Sequence, residues 1–399
     1  MIVVRGGDLI LPGRILSGGS LLVDDGRIVA IEEGAIAPAG ASVVDAQGCY
    51  VAPGFIDVHV HGLHGHDVLD GEGAVAAVAS RLPRYGVTAF CPTSVACPPA
   101  ALGPFLQQVR ALRLAPVAGC ARVLPAHLES NFISPDFAGA QPVACLRLPP
   151  GVPAAPAGGR DEGEFSGRDV LDAIEAARPD VGIVTLAPEL PGGLDLVRSL
   201  AAAGHRVSLG HSGADVDTTV AAIEAGARQA THLFNRMPPM SHRAPGLVGA
   251  VLASHDVVAE LICDGHHVHP AACRVAIAAK GPAGVMAITD ATAGAGLSAG
   301  ATARLGGQPI HVRAEAAFLE DGTLAGSTLT MDRAFAAIVT QFGASLVDAA
   351  LMCATTPARA LGLTGFGVLA DGAVADLVVL DRAFRVRHTL VGGESAFQA

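Results

Sequence analysis

GFIDVHVH at residues 54–61 is an apolar run that closes on two histidines, and it predicts the first strand of a repeating pattern. Similar apolar or β-branched runs follow at 87–94, 121–129, 181–189, 206–212, 227–234, 257–264 and 285–292. Amphipathic, alanine-rich stretches lie between them, with helices expected at 73–84, 166–177, 193–203, 214–225 and 270–279. Eight strands alternating with helices predict an α/β fold, a closed (β/α)8 TIM-like barrel rather than an open doubly wound sheet.

Both ends of the chain have a different pattern, made of short alternating strands interrupted by glycine and aspartate. Residues 20–34, SLLVDDGRIVAIEEG, and residues 367–381, GVLADGAVADLVVLD, are typical of hairpins. We therefore predict that residues 1–52 and 358–399 together form a small β-sandwich domain. The barrel, residues 53–357, is expected to be inserted between these two segments as the larger domain.

Two connections are long enough to carry structure of their own. Residues 148–160 are rich in proline, alanine and glycine, and we expect a loop beside the carboxyl ends of the strands. Residues 293–325 follow the eighth predicted strand and are expected to contain a hairpin.

The composition excludes several classes of partner. The formal net charge is −11 and the basic residues form no run, so we expect no nucleic-acid or anionic-membrane partner. In the N-terminal sequence MIVVRGGDLILPGR, glycine, aspartate and proline interrupt the apolar residues, which predicts neither a signal peptide nor a membrane span. The expected location is therefore the cytoplasm. The eight cysteines form no CxxC pair and are expected to be reduced core residues.

Side chains suited to metal binding stand at the carboxyl ends of separate predicted strands. They are His59 and His61, Glu129, His211, His232 and Asp290. In a (β/α)8 barrel these ends converge on one mouth, and alternation along the first strand puts positions 59 and 61 on the same inward face. Any one of these residues alone would more often be structural. Taken together they predict a centre for one or two divalent metal ions.

A metal of this type lowers the pKa of water and polarises a carbonyl. A carboxylate beside that water can take its proton and deliver it to a leaving nitrogen. Asp290, from the last strand, is the candidate for this acid/base role, and Glu129 is the candidate ligand. Imidazole and carboxylate suit zinc, our first choice of metal, and also iron or manganese.

Nine motifs, taken together, resemble one family. They are PGFIDVHVHG, HLESNFISPDFAGAQ, VTLAPE, LGHS, ATHLFNRM, RAPGLVGA, DGHHV, ITDAT and LAGSTLTMD, in this order between about residues 45 and 335. This set resembles the N-acetylglucosamine-6-phosphate deacetylases of the amidohydrolase superfamily. The resemblance implies hydrolysis of the N-acetyl amide of an amino-sugar phosphate to acetate and the free amine. It also implies a barrel with a composite terminal domain, and a homodimer.

The resemblance also implies roles for individual residues. The implied ligands of the principal metal are Glu129, His211 and His232, the implied acid/base is Asp290, and His59 and His61 complete a second metal position. The implied substrate contacts are Asn235, Arg243, His267 and the loop formed by Leu324, Ala325 and Gly326. Arg243 suits a phosphate contact because a guanidinium binds phosphate with two parallel hydrogen bonds.

The chain contains a single lysine, Lys280, within the helix-like stretch AIAAKGP. Many amidohydrolases bridge two metals with a carboxylated lysine on a barrel strand, a position that Lys280 does not occupy. If two metals are present, Glu129 is therefore expected to bridge them.

Several positions near the expected substrate depart from the family pattern. HLEGP becomes HLESN with Ser130 and Asn131, GAH becomes GAQ with Gln141, and FNAM becomes FNRM with Arg236. Gln141 can donate a hydrogen bond to the substrate but carries no charge. Arg236 either adds a phosphate ligand or fills space meant for the sugar.

These departures leave three hypotheses. The first is deacetylation of N-acetylglucosamine 6-phosphate. The second is deacylation of a different amino sugar, either galacto-configured or unphosphorylated, or of a related amide. The third is a metal-free scaffold protein with this fold, which the intact ligand set disfavours.

Overall fold

The computed structural model describes residues 1–151, 164–313 and 316–399 of the 399-residue chain. The loop expected at 148–160 lies mostly outside the described residues. Within the described ranges, every helix is too short or too polar to cross a membrane.

Parallel strands form the barrel, and each of the eight predicted runs contains one. Numbered one to eight along the chain, they are Phe55–Val60, Val87–Ser94, Ala126–Glu129 (preceded by the short strand Arg122–Val123), Val181–Leu186, Arg206–Leu209, Gln229–Ala230, Val258–Ile262 and Val285–Ile288. Each strand pairs in parallel with the next. A parallel bridge between Val60 and Ala291 joins the first strand to the end of the last. The predicted TIM-like barrel is confirmed.

Helices cover the outside of the barrel. Their bounds are Ala74–Ala79, Pro99–Leu114, Gly167–Ala176, Gly193–Ala202, Val216–Glu224, Gly246–Ala253, Pro270–Lys280, Met331–Thr340, Leu346–Ala350 and Thr356–Ala360. The five expected helices are all present, and Ser166 and Asp169 cap the one that starts at Gly167 reciprocally. The helix Gly246–Ala253, GLVGAVLA, is not among the predicted helices. It is apolar on every side, so its sequence lacks the periodic pattern that predicts an amphipathic helix.

Strands from both ends of the chain join a single sheet, which confirms the β-rich terminal domain. They are Ile2–Leu11, Arg14–Asp24, Arg27–Glu32, Ser42–Asp45, Tyr50–Pro53, Leu377–Leu380, Val386–Val391 and Glu394–Gln398. The N-terminal strand Tyr50–Pro53 pairs antiparallel with the C-terminal strand Leu377–Leu380. Leu9, Leu21 and Leu377 are buried in a core separate from that of the barrel. The exact domain boundaries, at 52/53 and 357/358, stay a prediction.

A small antiparallel sheet lies beside the barrel mouth, where a hairpin was expected within 293–325. Its strands are Thr302–Leu305, Gln308–Arg313, Ala316–Phe318 and Leu324–Ser327. The amide of Gly306 donates to Asp67 at 2.8 Å, and Gln308 Nε2 donates to the carbonyl of Ala140 at 2.9 Å. These bonds attach the small sheet to loops that follow other barrel strands.

Candidate metal centre

Three of the predicted site residues have a left-handed backbone directly after their strands. The φ angles are 49° at His211, 29° at His232 and 50° at Asp290. Such angles are uncommon for residues other than glycine and cluster at functional sites, where the surrounding structure compensates for the strain. At Asp290 the compensation is visible: its amide donates to the carbonyl of His59, and its carbonyl accepts from the amide of Ser327.

Glu129 stands at the centre of the site and contacts histidines from three other strands. Its Oε1 lies 2.8 Å from Nε2 of His211 and 2.8 Å from Nε2 of His232. Its Oε2 lies 3.5 Å from Nε2 of His61. Oε1 thus faces His211 and His232 and also lies 3.8 Å from Nε2 of His59, whereas Oε2 faces His61. Glu129 would therefore be shared by any ions that these imidazoles hold.

His59 and His61 face Asp290 on the other side of Glu129. Their Nε2 atoms are 3.1 Å apart, and Asp290 Oδ1 lies 3.4 Å from the first and 3.2 Å from the second. His59 is fully buried, and Asp290 is 6% exposed. The alternation predicted for positions 59 and 61 thus brings both rings to the acid/base candidate.

The second ring nitrogen of each histidine decides which lone pair faces the centre. Nδ1 of His59 lies 2.9 Å from Glu260 Oε2, that of His61 lies 3.0 Å from the carbonyl oxygen of Thr93, and that of His211 lies 2.8 Å from the carbonyl oxygen of Phe137. Carboxylate and carbonyl oxygens only accept, so each Nδ1 is the donor and Nε2 can offer its lone pair to a metal. Nδ1 of His232 has no hydrogen-bond partner among the described residues.

Charged groups within the centre strongly shift the pKa values of its histidines and of Glu129. Burial lowers the pKa of His61, but hydrogen bonds to Asp290 and Glu129 outweigh this effect and raise it to about 10. Burial likewise lowers the pKa of His232, and the bond to Glu129 and its charge raise it to about 9. Burial raises the pKa of Glu129, yet the charge of His211 and the neighbouring imidazoles hold it well below its usual range. Without a metal, protons supply the positive charge that these carboxylates require.

The donor set fits divalent metal. Two overlapping groups bring one ligand atom from each residue within 4.8 Å of one another: His59, His61 and Glu129, and Glu129, His211 and His232. Imidazole nitrogen and carboxylate oxygen donors are typical of sites for borderline divalent ions. Lys280 ends an outer helix and donates through Nζ to the carbonyl oxygens of Val251 and Ser254, so it takes no part in this centre.

A cavity of about 440 Å³ opens above the centre, a size usual for small-molecule sites. Of the predicted residues, it is lined by His61, Glu129, Gln141, His211, His232, Asn235, Arg236, His267, Asp290, Leu324 and Gly326. His59 lies beneath the floor. Ala325 is buried in the core of the small sheet, and Arg243 is exposed on a segment that does not line the cavity.

Gln141, one of the departures from the family pattern, contacts a metal ligand directly. Its Oε1 accepts from the amide of Ala96 at 2.7 Å, which orients its Nε2 to donate to Oε2 of Glu129. Asn131 donates to the carbonyls of Cys97 and Cys145 at 2.9 and 2.7 Å. Ser130 donates to the carbonyl of Thr185 at 2.5 Å. Asn131 and Ser130 thus hold loops of the site, whereas Gln141 holds Glu129.

Arg236 and His267 bring polar groups to the cavity wall. The exposed side chain of Arg236 lies against Gly139, where a Cβ atom would meet its guanidinium. His267 is held by a bond of 2.7 Å from its Nδ1 to Asp264 Oδ2, which leaves Nε2 available for the cavity.

Two carboxylates that support the site were missed by sequence reasoning. Glu260 stands within the apolar strand VAELI and Asp264 follows it. A signal was present for Glu260, because a charged residue inside a strand buried on both faces requires a partner.

Comparisons with known proteins identify the family of this chain. The model of the amidohydrolase family matches residues 50–396. The N-acetylglucosamine-6-phosphate deacetylase of Rattus norvegicus is 39% identical, over 97% of this chain and 94% of the relative. The N-acetylgalactosamine-6-phosphate deacetylase of Escherichia coli O157:H7 is 34% identical, over 99% of both chains.

A solved structure adds a three-dimensional match. A mutant N-acetyl-D-glucosamine-6-phosphate deacetylase from Mycobacterium smegmatis, in complex with N-acetyl-D-glucosamine-6-phosphate, has a TM-score of 0.87 and 32% identity. The match covers 100% of this chain and 99% of that one. The chain therefore belongs to the amidohydrolase family and, within it, to the group of the N-acetylglucosamine-6-phosphate deacetylases.

Proposed function

We propose that this protein is a metal-dependent deacetylase that hydrolyses N-acetylglucosamine 6-phosphate to glucosamine 6-phosphate and acetate. The observation that carries the proposal is the convergence of Glu129, Asp290 and three imidazoles on the floor of one cavity, with the fourth imidazole, His59, directly beneath it. The names of the relatives support the same substrate class. As a member of the amidohydrolase family, the chain is a hydrolase of amide bonds.

The histidines and Glu129 would hold a divalent ion, which would supply the charge that polarises the amide carbonyl and acidifies water. Asp290 takes a proton from the attacking water, because its carboxylate faces the cavity beside these ligands. It then delivers that proton to the amide nitrogen as the carbon–nitrogen bond breaks. Burial raises the pKa of Asp290, but the charge of His59 and bonding to His61 lower it overall, which keeps it ionised and ready to accept.

Zinc is our first choice of metal, with iron and manganese as alternatives, because neutral imidazoles and carboxylates suit all three. The divalent character of the centre follows from the family and from the donor set. Two positions are proposed, one formed by Glu129 with His211 and His232, and the other by Glu129 with His59 and His61.

The proposed substrate contacts are the polar groups of the cavity wall. Gln141, Asn235, Arg236 and His267 lie around the cavity, and Leu324 and Gly326 line it from the small sheet. Arg236 supplies a guanidinium suited to phosphate. This favours a phosphate contact over the alternative that Arg236 fills space meant for the sugar. Arg243 and Ala325 stay predictions from the family resemblance.

A cytoplasmic homodimer completes the proposal. The resemblance to the deacetylases supports the dimer. The eight cysteines are free, as expected of a reducing compartment. Size-exclusion chromatography with light scattering tests the dimer.

The second candidate is a deacylase of a galacto-configured or unphosphorylated amino sugar. It is favoured by the Escherichia coli relative named for N-acetylgalactosamine 6-phosphate. It is also favoured by Gln141, which donates to Glu129 where the family pattern has histidine.

A side-by-side assay distinguishes these candidates. Acetate release by metal-replete protein is measured with N-acetylglucosamine 6-phosphate, N-acetylgalactosamine 6-phosphate and unphosphorylated N-acetylglucosamine. We expect the highest kcat/KM with the first sugar. A higher kcat/KM with either of the others would replace the proposed substrate.

A further inference from the structure

Glu260 is a fully buried carboxylate in the seventh barrel strand, and the proposed chemistry does not use it. Its Oε2 lies 2.9 Å from His59 Nδ1 and accepts from the amide of His232 at 3.3 Å. Its Oε1 accepts from Gln229 Nε2 at 2.5 Å. A buried charge is tolerated only when it is paired in this way, so these partners account for both of its oxygens.

Glu260 contacts His59 on the side of the ring that faces away from the cavity. It binds Nδ1, whereas Nε2 of the same ring faces His61 and Asp290. Glu260 is therefore too far behind the ring to be a metal ligand in the centre.

The neighbouring His127 also brings a ligand atom within 4.8 Å of those of Glu260 and His59, but its ring nitrogens have other partners. Its Nδ1 donates to the carbonyl of Val58 at 3.0 Å, and its Nε2 pairs with Thr185 Oγ1 at 2.7 Å. Both ring nitrogens of His127 are thus engaged in hydrogen bonds, and the imidazole that Glu260 binds is that of His59.

The four metal-facing histidines differ in what holds their second nitrogen. His61 and His211 donate to neutral backbone carbonyls, and His232 Nδ1 has no hydrogen-bond partner in the described ranges. Only His59, of these four, meets a carboxylate there. A carboxylate behind a ligating imidazole fixes the tautomer and ring orientation and raises the basicity of the metal-facing nitrogen.

We propose that Glu260 is a positioning residue. By holding His59, it allows the side of the centre formed by His59 and His61 to bind a second metal ion. The bond to Nδ1 holds the proton there and keeps the Nε2 lone pair directed at the ion. The inference rests on the metal requirement of the proposed function. It goes beyond that function because it makes binding of the second ion depend on a buried carboxylate, Glu260, that lies outside the cavity and is not itself a ligand.

The test counts metal ions rather than turnover. Wild-type protein, Glu260→Met, Glu260→Gln and the control Gln229→Met are stripped of metal, reloaded with zinc and analysed for ions per chain. Dissociation constants are measured by competition with a chromogenic chelator. Gln229→Met is a matched control because it removes a buried partner of Glu260 without touching His59.

We expect two ions in the wild type and in Gln229→Met, and one ion in Glu260→Met. Glu260→Gln keeps an oxygen that can accept from His59 but loses the charge. We expect it to bind two ions, the weaker of them about tenfold less tightly. If Glu260→Met does not fold, the weaker binding of the second ion by Glu260→Gln is sufficient to test the positioning role of Glu260.

Other results contradict the inference. Two tightly bound ions in Glu260→Met, unchanged affinities in Glu260→Gln, or one ion in the wild type would each overturn the positioning role while leaving the deacetylase intact. Loss of the same ion from Gln229→Met would assign the effect to packing and overturn it too. A wild type that binds no ion would instead contradict the proposed function.

Discussion

The Nε2 atoms of His211 and His232 lie 3.0 Å apart, and both face Oε1 of Glu129. Two nitrogen lone pairs at this distance repel each other unless a proton or a cation lies between them and the carboxylate. The raised pKa values of His61 and His232 place protons in the metal-free centre, and a divalent ion has to displace them.

Metal binding is therefore expected to release protons and to strengthen as pH rises. The pKa values of about 10 for His61 and about 9 for His232 mean that both are protonated at pH 7 without metal. The apparent affinity for zinc should increase about tenfold per pH unit for each proton displaced, up to about pH 9 for His232 and about pH 10 for His61. Calorimetry in buffers of different ionisation enthalpy measures the protons released. Affinity independent of pH between 6 and 8 would contradict this expectation.

Asp290→Asn should bind metal as the wild type does but lose about 10²- to 10⁴-fold in kcat, because an amide cannot accept the proton of water. Asp290 Oδ1 lies 3.2 Å from His61 Nε2, and an amide oxygen can keep this position. Steady-state acetate release, with the ion content measured on the same sample, checks both parts. Normal turnover would remove Asp290 from the acid/base role.

Arg236→Ala is expected to raise KM for the phosphorylated sugar about tenfold or more, since a charge-assisted hydrogen bond is removed. KM for the unphosphorylated sugar should change little. Arg198→Ala is the matched control, because Arg198 is exposed on an outer helix and does not line the cavity. Equal losses with both sugars would show that Arg236 shapes the cavity rather than binding phosphate.

Gln141→Leu should weaken metal binding about tenfold, because the hydrogen bond that orients Glu129 is lost. Gln308→Leu provides the comparison: it removes a bond to Ala140, next to Gln141, without touching a ligand. Chelator competition measures both variants. Metal affinity equal to that of the wild type in Gln141→Leu would show that the amide serves the substrate alone.

Gly326→Ala is expected to lower turnover and stability together. Its φ is 52°, and a Cβ would lie 2.6 Å from Thr292 Cγ2 and 2.9 Å from the carbonyl oxygen of Asp290. Gly322, in the same sheet region, has φ 88° with open space around it. Both alanine variants should lose about 1–2 kcal/mol in free energy of unfolding from backbone strain, but only Gly326→Ala should also lower kcat. Equal kcat values in the two variants would exclude a role of this close approach.

The barrel and the core of the site follow from the sequence for a physical reason. The carboxyl ends of parallel strands converge, so His59, Glu129 and His211 could be brought together from their strand positions alone. The hydrophobic runs that define those strands are local features, readable without knowledge of which strands become neighbours.

Contacts between residues that are far apart in the sequence could not be predicted from these local patterns. Glu260 contacts His59 across the barrel interior, and the sequence of the strand VAELI does not indicate which residue its carboxylate binds. Gln141 lines the cavity, and its orientation is set by the amide of Ala96 and by Glu129, two partners that its local sequence does not indicate. The exposed position of Arg243 likewise depends on the path of the loop around it.

Acetate release from N-acetylglucosamine 6-phosphate is expected to require metal bound at Glu129 and its histidines. Metal-free protein is titrated with zinc, and the initial rate of acetate release is recorded against equivalents added. We expect almost no activity before addition, then a rise that saturates at a whole number of ions per chain. Full acetate release by chelator-treated protein would contradict this metal requirement, and no release at saturating metal would contradict the deacetylase activity.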